Sequence, residues 1–343
     1  MSSNSRFARP FLALMLWVAG DSLAVTAAPP TPIVFDTDMG NDIDDALALG
    51  VIHALQSRGE CQLLAVTLSK DHPSAAPFVD LVNTFYGRGD IPIGMVRHGE
   101  TPEPSPYIEQ PAAATKDGAQ RWPHDLTNGA DAPEAVALLR KTLAAQPDQS
   151  VVLVVVGFST NVARLLDSPP DQYSKLGGRE LCAQKARLLS MMAGMFSSEN
   201  RVKEYNVFID EPAARKVFAE WPGELVASGF EIGSAIKFPA VSIQNDFRYA
   251  DHPLAEAYGL YQKMPYDRET WDLTSVLYAV RPDRDYFGIS PRGEISVDEH
   301  SITQFSPTEA GRRRYLTLSP QQMIAVREVL IGLASQPPIE TEK

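Results

Sequence analysis

A chain of 343 residues, 44% of them hydrophobic, is long enough to bury a substantial core and carries no compositional sign of disorder. Its 43 acidic against 31 basic residues give a formal net charge of -12, which excludes a nonspecific phosphate-backbone binder, because that affinity comes from clustered Lys and Arg. No nucleic-acid partner is expected, and the one dense basic run, Arg312 to Arg314, reads as a solvated surface patch.

At the amino terminus, Arg6 and Arg9 precede an apolar run from Phe11 to Ala19, and small residues lead through Ala27 and Ala28 to Pro29 and Pro30. That is the pattern of a signal peptide, so residues 1–28 are expected to be cleaved and residues 29–343 to fold as a single periplasmic or secreted domain. The apolar run is far short of the roughly twenty residues that cross a bilayer, so no membrane span is expected in the mature protein. Cys61 and Cys182 are the only cysteines; a disulfide and two buried thiols both remain open.

The mature chain opens with a short apolar strand, Pro32 to Phe35, then an acidic loop, then the helix-like run Ala46 to Ile52. A strand over Gln62 to Leu68, a helix over Ala75 to Tyr86 and a strand over Ile91 to Val96 continue the alternation. Gly99 to Asn128 is rich in Pro, Gly and polar residues and reads as a long surface excursion. A helix over Ala132 to Ala145, the buried strand Val151 to Val156 and a helix from about Asn161 follow. Further on come a strand at Leu188 to Ala193, a helix at Glu211 to Phe218 and a short strand at Leu225 to Ser228. Helices at Pro253 to Lys263 and Thr270 to Val280, a strand-like stretch through Gly288 to Phe305 and a closing helix at Pro320 to Leu333 complete the chain. Strands alternating with helices predict an α/β fold of Rossmann-like type, with a mostly parallel sheet flanked by helices.

The segment Asp36-Thr37-Asp38-Met39-Gly40-Asn41-Asp42-Ile43-Asp44-Asp45 places five carboxylates in ten residues at the carboxyl end of the first strand, the edge where open α/β sheets bind ligands. Two carboxylates about 6 Å apart repel by roughly 3 kcal/mol at an effective dielectric near 20, so convergence demands neutralisation. Protonation of one or more acids can supply it, a hard cation with oxygen ligands is the commoner solution, and Ca²⁺ tolerates irregular loop geometry better than Mg²⁺. Helix capping explains Asp44 and Asp45 but not Asp36 and Asp38 as well.

The acidic segment resembles the amino-terminal signature of the inosine-uridine preferring nucleoside hydrolase family, D-x-D-x-x-x-D-D-A, with two residues inserted and Asp42 as an extra acid. Three further segments resemble the same family: Val156-Gly157-Phe158-Ser159-Thr160-Asn161, Glu204-Tyr205-Asn206 with the following Asp210-Glu211-Pro212, and Trp271-Asp272-Leu273. The resemblance implies Ca²⁺ held by Asp38, Asp45, Asp272 and the carbonyl oxygen of Val156, with Asp38 as general base and Asp36 orienting the ligands. It implies that Asp44, Glu204 and Asn206 hold the ribose. Trp271 stands where better-known members carry a His tied to protonation of the leaving base, which implies either stacking of Trp271 on the base or a different acid. His72 falls where the family has a sugar-binding Asn and is a candidate sugar contact or acid; Asn200 is a further candidate sugar contact.

The implied activity is hydrolysis of the N-glycosidic bond of a purine or pyrimidine ribonucleoside, with a homo-oligomer open. Two rivals stand beside it. The Asp36-Thr37-Asp38 triplet also resembles the signature of haloacid-dehalogenase-type Mg²⁺ phosphatases, with Asp36 as nucleophile. The lost His is also compatible with a noncatalytic exported protein that captures nucleosides or ribose through calcium.

Overall fold

The computed structural model describes residues 29–197, 201–249 and 251–339, so the leader pattern and Asn200 lie outside the described residues. A ten-stranded sheet runs in the order Ile93–Glu100, Cys61–Lys70, Thr31–Thr37, Val151–Val155, Ala186–Met192, Leu225–Ser228, Arg313–Thr317, Gly293–Val297 and Thr303–Pro307, with Gly288–Ile289 paired to Arg313–Thr317. The first seven of these pair in parallel, and the last strands turn antiparallel. The expected mostly parallel sheet is therefore present, and its antiparallel end comes from the strand-like stretch after Gly288.

The strand Val151–Val155 is buried at every position, as a purely aliphatic run must be when helices cover both faces of a sheet. Two apolar clusters fill the two sides. One gathers the helices Asp44–Ser57, Ala75–Phe85 and Trp271–Val280, and the other gathers Thr160–Asp167 and Glu211–Glu220. Among the described residues no helix is long and apolar enough to cross a membrane.

The connectivity positions the site. From Thr31–Thr37 the chain builds outward through Cys61–Lys70 to Ile93–Glu100, then returns to the other side of the first strand with Val151–Val155. That reversal leaves a crevice between the carboxyl ends of Thr31–Thr37 and Val151–Val155, where neighbouring loops diverge.

Two sequence expectations change. The excursion from Gly99 to Asn128 is not wholly superficial, because it contains the helix Pro106–Ala113, whose Tyr107 and Ile108 are buried. The Tyr107 hydroxyl accepts from Gly40 N at 2.6 Å and donates to Asp42 O at 2.5 Å, so this helix braces the acidic loop. Arg313 is not a solvated residue: it is buried in the strand Arg313–Thr317 and donates to the carbonyls of Phe218, Trp221 and Gly223. The helix Gly178–Lys185 had no clear periodic signal. Both cysteines are buried free thiols.

Candidate active site

The first strand ends at Thr37, which delivers Asp38 into the crevice, and the helix Asp44–Ser57 begins with Asp44 and Asp45 in its first turn. Asp36, Asp38, Asp44, Asp45 and Asp272 are all buried. A cavity at this point, about 120 Å³, is lined by Asp38, Asp42, Asp44, Val156, Met192, Glu204, Tyr205, Asn206, Phe230, Trp271 and Asp272. Segments from six separate parts of the chain meet there, including the four that carry the family resemblance.

Close packing of backbone makes this convergence work. Val156 N donates to Asp36 O at 2.8 Å, joining the ends of the two central strands. A Cβ at Gly157 would lie 2.4 Å from Asp38 N and 2.7 Å from the Thr37 carbonyl carbon, so only glycine permits the approach. Asn206 donates through Nδ2 to Val156 O at 2.7 Å and to Met192 O at 3.1 Å. Glu204 caps the short helix Tyr205–Ile209, accepting from Asn206 N and Val207 N, and also takes Gly194 N at 2.9 Å.

The electrostatics are unbalanced toward negative charge. Burial pushes Asp38 up to about 7, with the charge of Asp44 adding to it and an Asn41 hydrogen bond and Lys70 opposing it. Burial, then Asp42, pushes Asp44 up to about 8 against the pull of Arg268. Asp45 and Asp272 are raised well above the usual carboxylate range, first by burial and then by the surrounding aspartates. Burial likewise lifts Glu204 to about 7 despite its backbone donors.

Two side chains of the protein answer part of this charge, and neither was singled out from the sequence. Arg268 donates through Nη2 to Asp42 Oδ2 at 2.6 Å and through Nε and Nη2 to Asp44 Oδ1 at 3.2 and 3.1 Å, with its guanidinium over the rings of Tyr261 and Trp271. Lys70, almost wholly buried, donates to Asn41 Oδ1 at 3.0 Å and Thr101 O at 2.6 Å, while Asn41 donates to Asp38 Oδ2 at 2.5 Å. The clue in the sequence was the acid run itself, which required cations from somewhere. Nothing local to Lys70 or Arg268 marked them as the suppliers.

A hard cation also fits the site. Asp42, Asp44 and Asp272 each offer an oxygen within 4.8 Å of the others, a grouping able to hold a metal ion. Asp45 accepts from the Thr37 hydroxyl with one oxygen, while its other, Oδ2, is buried without a hydrogen-bond partner. An orphaned carboxylate oxygen amid an all-oxygen donor set suits a cation such as calcium. The tight triad found differs from the expected ligand trio, since it contains Asp42 and Asp44 in place of Asp38 and Asp45. Arg268 donates to both Asp42 and Asp44 and so holds these two acids together.

The remaining sequence candidates fall differently. Asp38, Asp44, Val156, Glu204, Asn206, Trp271 and Asp272 line the cavity; Asp36, Asp45 and His72 do not. Asp36 accepts from the Thr67 hydroxyl at 2.5 Å and Asn161 Nδ2 at 2.8 Å, so it ties the strands to the helix Thr160–Asp167. Among the described residues its side-chain partners are Thr67 and Asn161 rather than Asp38 or Asp45. His72 places Nε2 3.0 Å from Glu109 Oε1 and accepts Ser74 N on Nδ1; the residue that the second strand sends toward the acids is Lys70. Residues missed from the sequence are Met192, Tyr205 and Phe230, which join Trp271 as apolar wall.

The phosphatase reading required Asp36 as an accessible nucleophile, and its buried, doubly hydrogen-bonded position off the cavity wall contradicts that. Residues 33–327 match the family described as inosine-uridine preferring nucleoside hydrolase. The pyrimidine-specific ribonucleoside hydrolase RihA of Salmonella arizonae is 30% identical over 244 residues, spanning 65% of this chain and 68% of that relative. A solved plant nucleoside hydrolase shares the fold with a TM-score of 0.64 at 19% identity, covering 90% of this chain and 100% of its own. An inosine-uridine preferring nucleoside hydrolase from Bacillus anthracis gives a TM-score of 0.63 at 16% identity, covering 88% and 99% of the two chains. The chain therefore belongs to the inosine-uridine preferring nucleoside hydrolase family and is an enzyme that hydrolyses the N-glycosidic bond of ribonucleosides.

Proposed function

We propose that catalysis depends on Ca²⁺ held by Asp38, Asp45, Asp272 and the main-chain oxygen of Val156, with Asp38 as the base that takes a proton from the attacking water. The observation that carries this reading is the meeting of Asp38, Val156 and Asp272 on one cavity wall, with the unpartnered oxygen of Asp45 close behind in the same electrostatic cluster. When bound, the ion would lower the pKa of the water and grip neighbouring sugar hydroxyls.

The protein's own groups do the rest. An oxocarbenium-like sugar is stabilised by surrounding carboxylates already fixed in place. Asp44 keeps acceptor capacity for a ribose hydroxyl beyond its bonds to Arg268 and Asp272 N, since an ionised carboxylate has about four lone-pair sites. Glu204 and Asn206, locked by backbone contacts, hold the far end of the sugar, while Trp271 with Phe230 packs against the base.

Chromatographic detection of free base and ribose from a panel of purine and pyrimidine nucleosides, with and without chelator, tests the reading. Base release that chelator abolishes and added Ca²⁺ restores is expected. Activity untouched by exhaustive chelation would remove the ion from the mechanism, and ribose binding without any base release would indicate a capture protein. We further infer export, supported by the Arg6, Arg9 and Phe11-to-Ala19 pattern. Amino-terminal sequencing of the protein from a periplasmic fraction, expected to start near residue 29, checks it.

A further inference from the structure

Lys70 ends the strand Cys61–Lys70 almost wholly buried, yet it is not among the residues that line the cavity. Its stem passes over Gly40, where a Cβ would lie 2.8 Å from Lys70 Cδ and where the backbone takes a φ of +119°. The ammonium donates to Asn41 Oδ1 at 3.0 Å and to Thr101 O at 2.6 Å. Asn41 in turn donates through Nδ2 to Asp38 Oδ2 at 2.5 Å and to Thr101 Oγ1 at 3.2 Å. Thr101 is held at a φ of +51°, an unusual conformation for a β-branched residue, so both of its bonds keep a strained loop in place. Packing alone does not call for a lysine here, because a methionine of similar length fills the same space without burying a charge.

An ammonium has three donors and no acceptor, so only the carbonyl oxygen of the Asn41 amide can face it. That choice turns the amide nitrogen toward Asp38. An N–H faces an accepting oxygen, so Asp38 Oδ2 must accept, and any proton that Asp38 carries must sit on Oδ1. The assignment holds for the ionised and the neutral carboxyl alike. Without the ammonium the Asn41 amide is free to turn over and offer its own oxygen to Asp38, and the two carboxyl oxygens lose their separate roles.

We propose that Lys70 is a positioning residue for the hydrolysis: by fixing the Asn41 amide it makes Oδ2 of Asp38 the held oxygen and leaves Oδ1 to take the proton of the attacking water. This rests on the reading of Asp38 as the base and adds the residues that aim it. The water oxygen bonds to C1′ as the C1′–N electron pair leaves on the base nitrogen, and one water proton goes to Oδ1. Oδ1 then gives a proton to solvent and the departed base takes one from solvent, so one nucleoside and one water give base and ribose.

The test uses the full mature protein with Ca²⁺ and uridine and inosine as substrates. Lys70→Met, Asn41→Ala and the double variant are compared with the parent for kcat, KM, melting temperature and, by calorimetry without substrate, Ca²⁺ affinity. Each single variant should lose about 10–100-fold in kcat, the scale of a misaimed reacting group, with KM and Ca²⁺ affinity within about threefold of the parent. The double variant should be no worse than either single one, because both changes remove the same clamp. Losses that multiply in the double variant, or a loss of Ca²⁺ affinity that matches the loss in kcat, would make Lys70 a support of the acid cluster and overturn the proposal. Asn41 lies on a half-buried loop, so parent-like kcat in Asn41→Ala overturns it whether or not Lys70→Met folds. If Asp38→Asn keeps the parent's kcat, the base reading fails and the proposal with it, while release of base from neither nucleoside by the parent overturns the hydrolase reading itself.

Discussion

Arg268 and Asp44 form a buried pair in which Nε and Nη2 of the guanidinium converge on one carboxylate oxygen at 3.2 and 3.1 Å, while the other oxygen takes the Asp272 N–H at 3.3 Å. This fixes the orientation of Asp44 from two directions. It also links the short strand Arg268–Glu269, just ahead of the helix Trp271–Val280, to the first turn of the helix Asp44–Ser57, so the two halves of the acid site are joined by one side chain.

Arg268→Gln should therefore leave Asp42 and Asp44 short of a partner. Loss of one member of a buried ion pair costs about 3–5 kcal/mol, and the deficit should shrink when Ca²⁺ is added because a cation on the neighbouring acids offsets the same excess of negative charge. Thermal melts with chelator and with Ca²⁺ measure both numbers. A variant as stable as the parent under chelation would show that Arg268 does not support the acid cluster.

Asp38→Asn keeps the shape of the residue beside Asn41 and removes the base. The expected loss in kcat is about 10²–10⁴-fold, with ribose inhibition weakened by less than about tenfold. Steady-state kinetics with ribose as product inhibitor separates the two, and a parallel loss of both would place Asp38 in binding alone.

Gly157→Ala puts a methyl group against the backbone of Thr37 and Asp38. Overpacking of this kind costs about 1–3 kcal/mol, and here the displaced atoms include the chain that carries the base. A fall in kcat out of proportion to the fall in stability is expected. Parent-like activity would mean that the two strand ends tolerate separation.

His252 is buried, accepts Leu254 N on Nδ1, and is held neutral because burial pushes it down to about 3. The unfolded residue titrates near 6.5, so between these values the unfolded state binds the proton and the folded state does not. The stability from this group is intact above pH 6.5 and is lost as pH falls toward 3. Relative to His252→Phe, the parent should lose up to about 1.4 kcal/mol per pH unit in that window. Urea midpoints of both proteins from pH 7 to pH 4 read the difference, and a constant gap would refute a neutral buried imidazole.

Much was legible without coordinates because it is local. The aliphatic run Val151–Val155 can only be a strand buried on both faces, and acids following an apolar strand and opening a helix mark a sheet edge. The helix Pro106–Ala113 was hidden because its Pro-rich sequence obscures the period, although Tyr107 anchors it under the acid loop. Arg313 was misread because charge suggests solvent, whereas the carbonyls around Phe218 to Gly223 offered it buried acceptors.

The sequence alone determined the alternating strands and helices, the edge at which the acids collect, and the excess negative charge that a cation must answer, since each follows from the order of neighbours along the chain. Only the tertiary structure decided which cations answer it and which acids stand together. Lys70 reaches Asp38 through Asn41, Arg268 and Asp272 reach Asp42 and Asp44 across the fold, and contacts between residues far apart in the chain are set by how the layers pack.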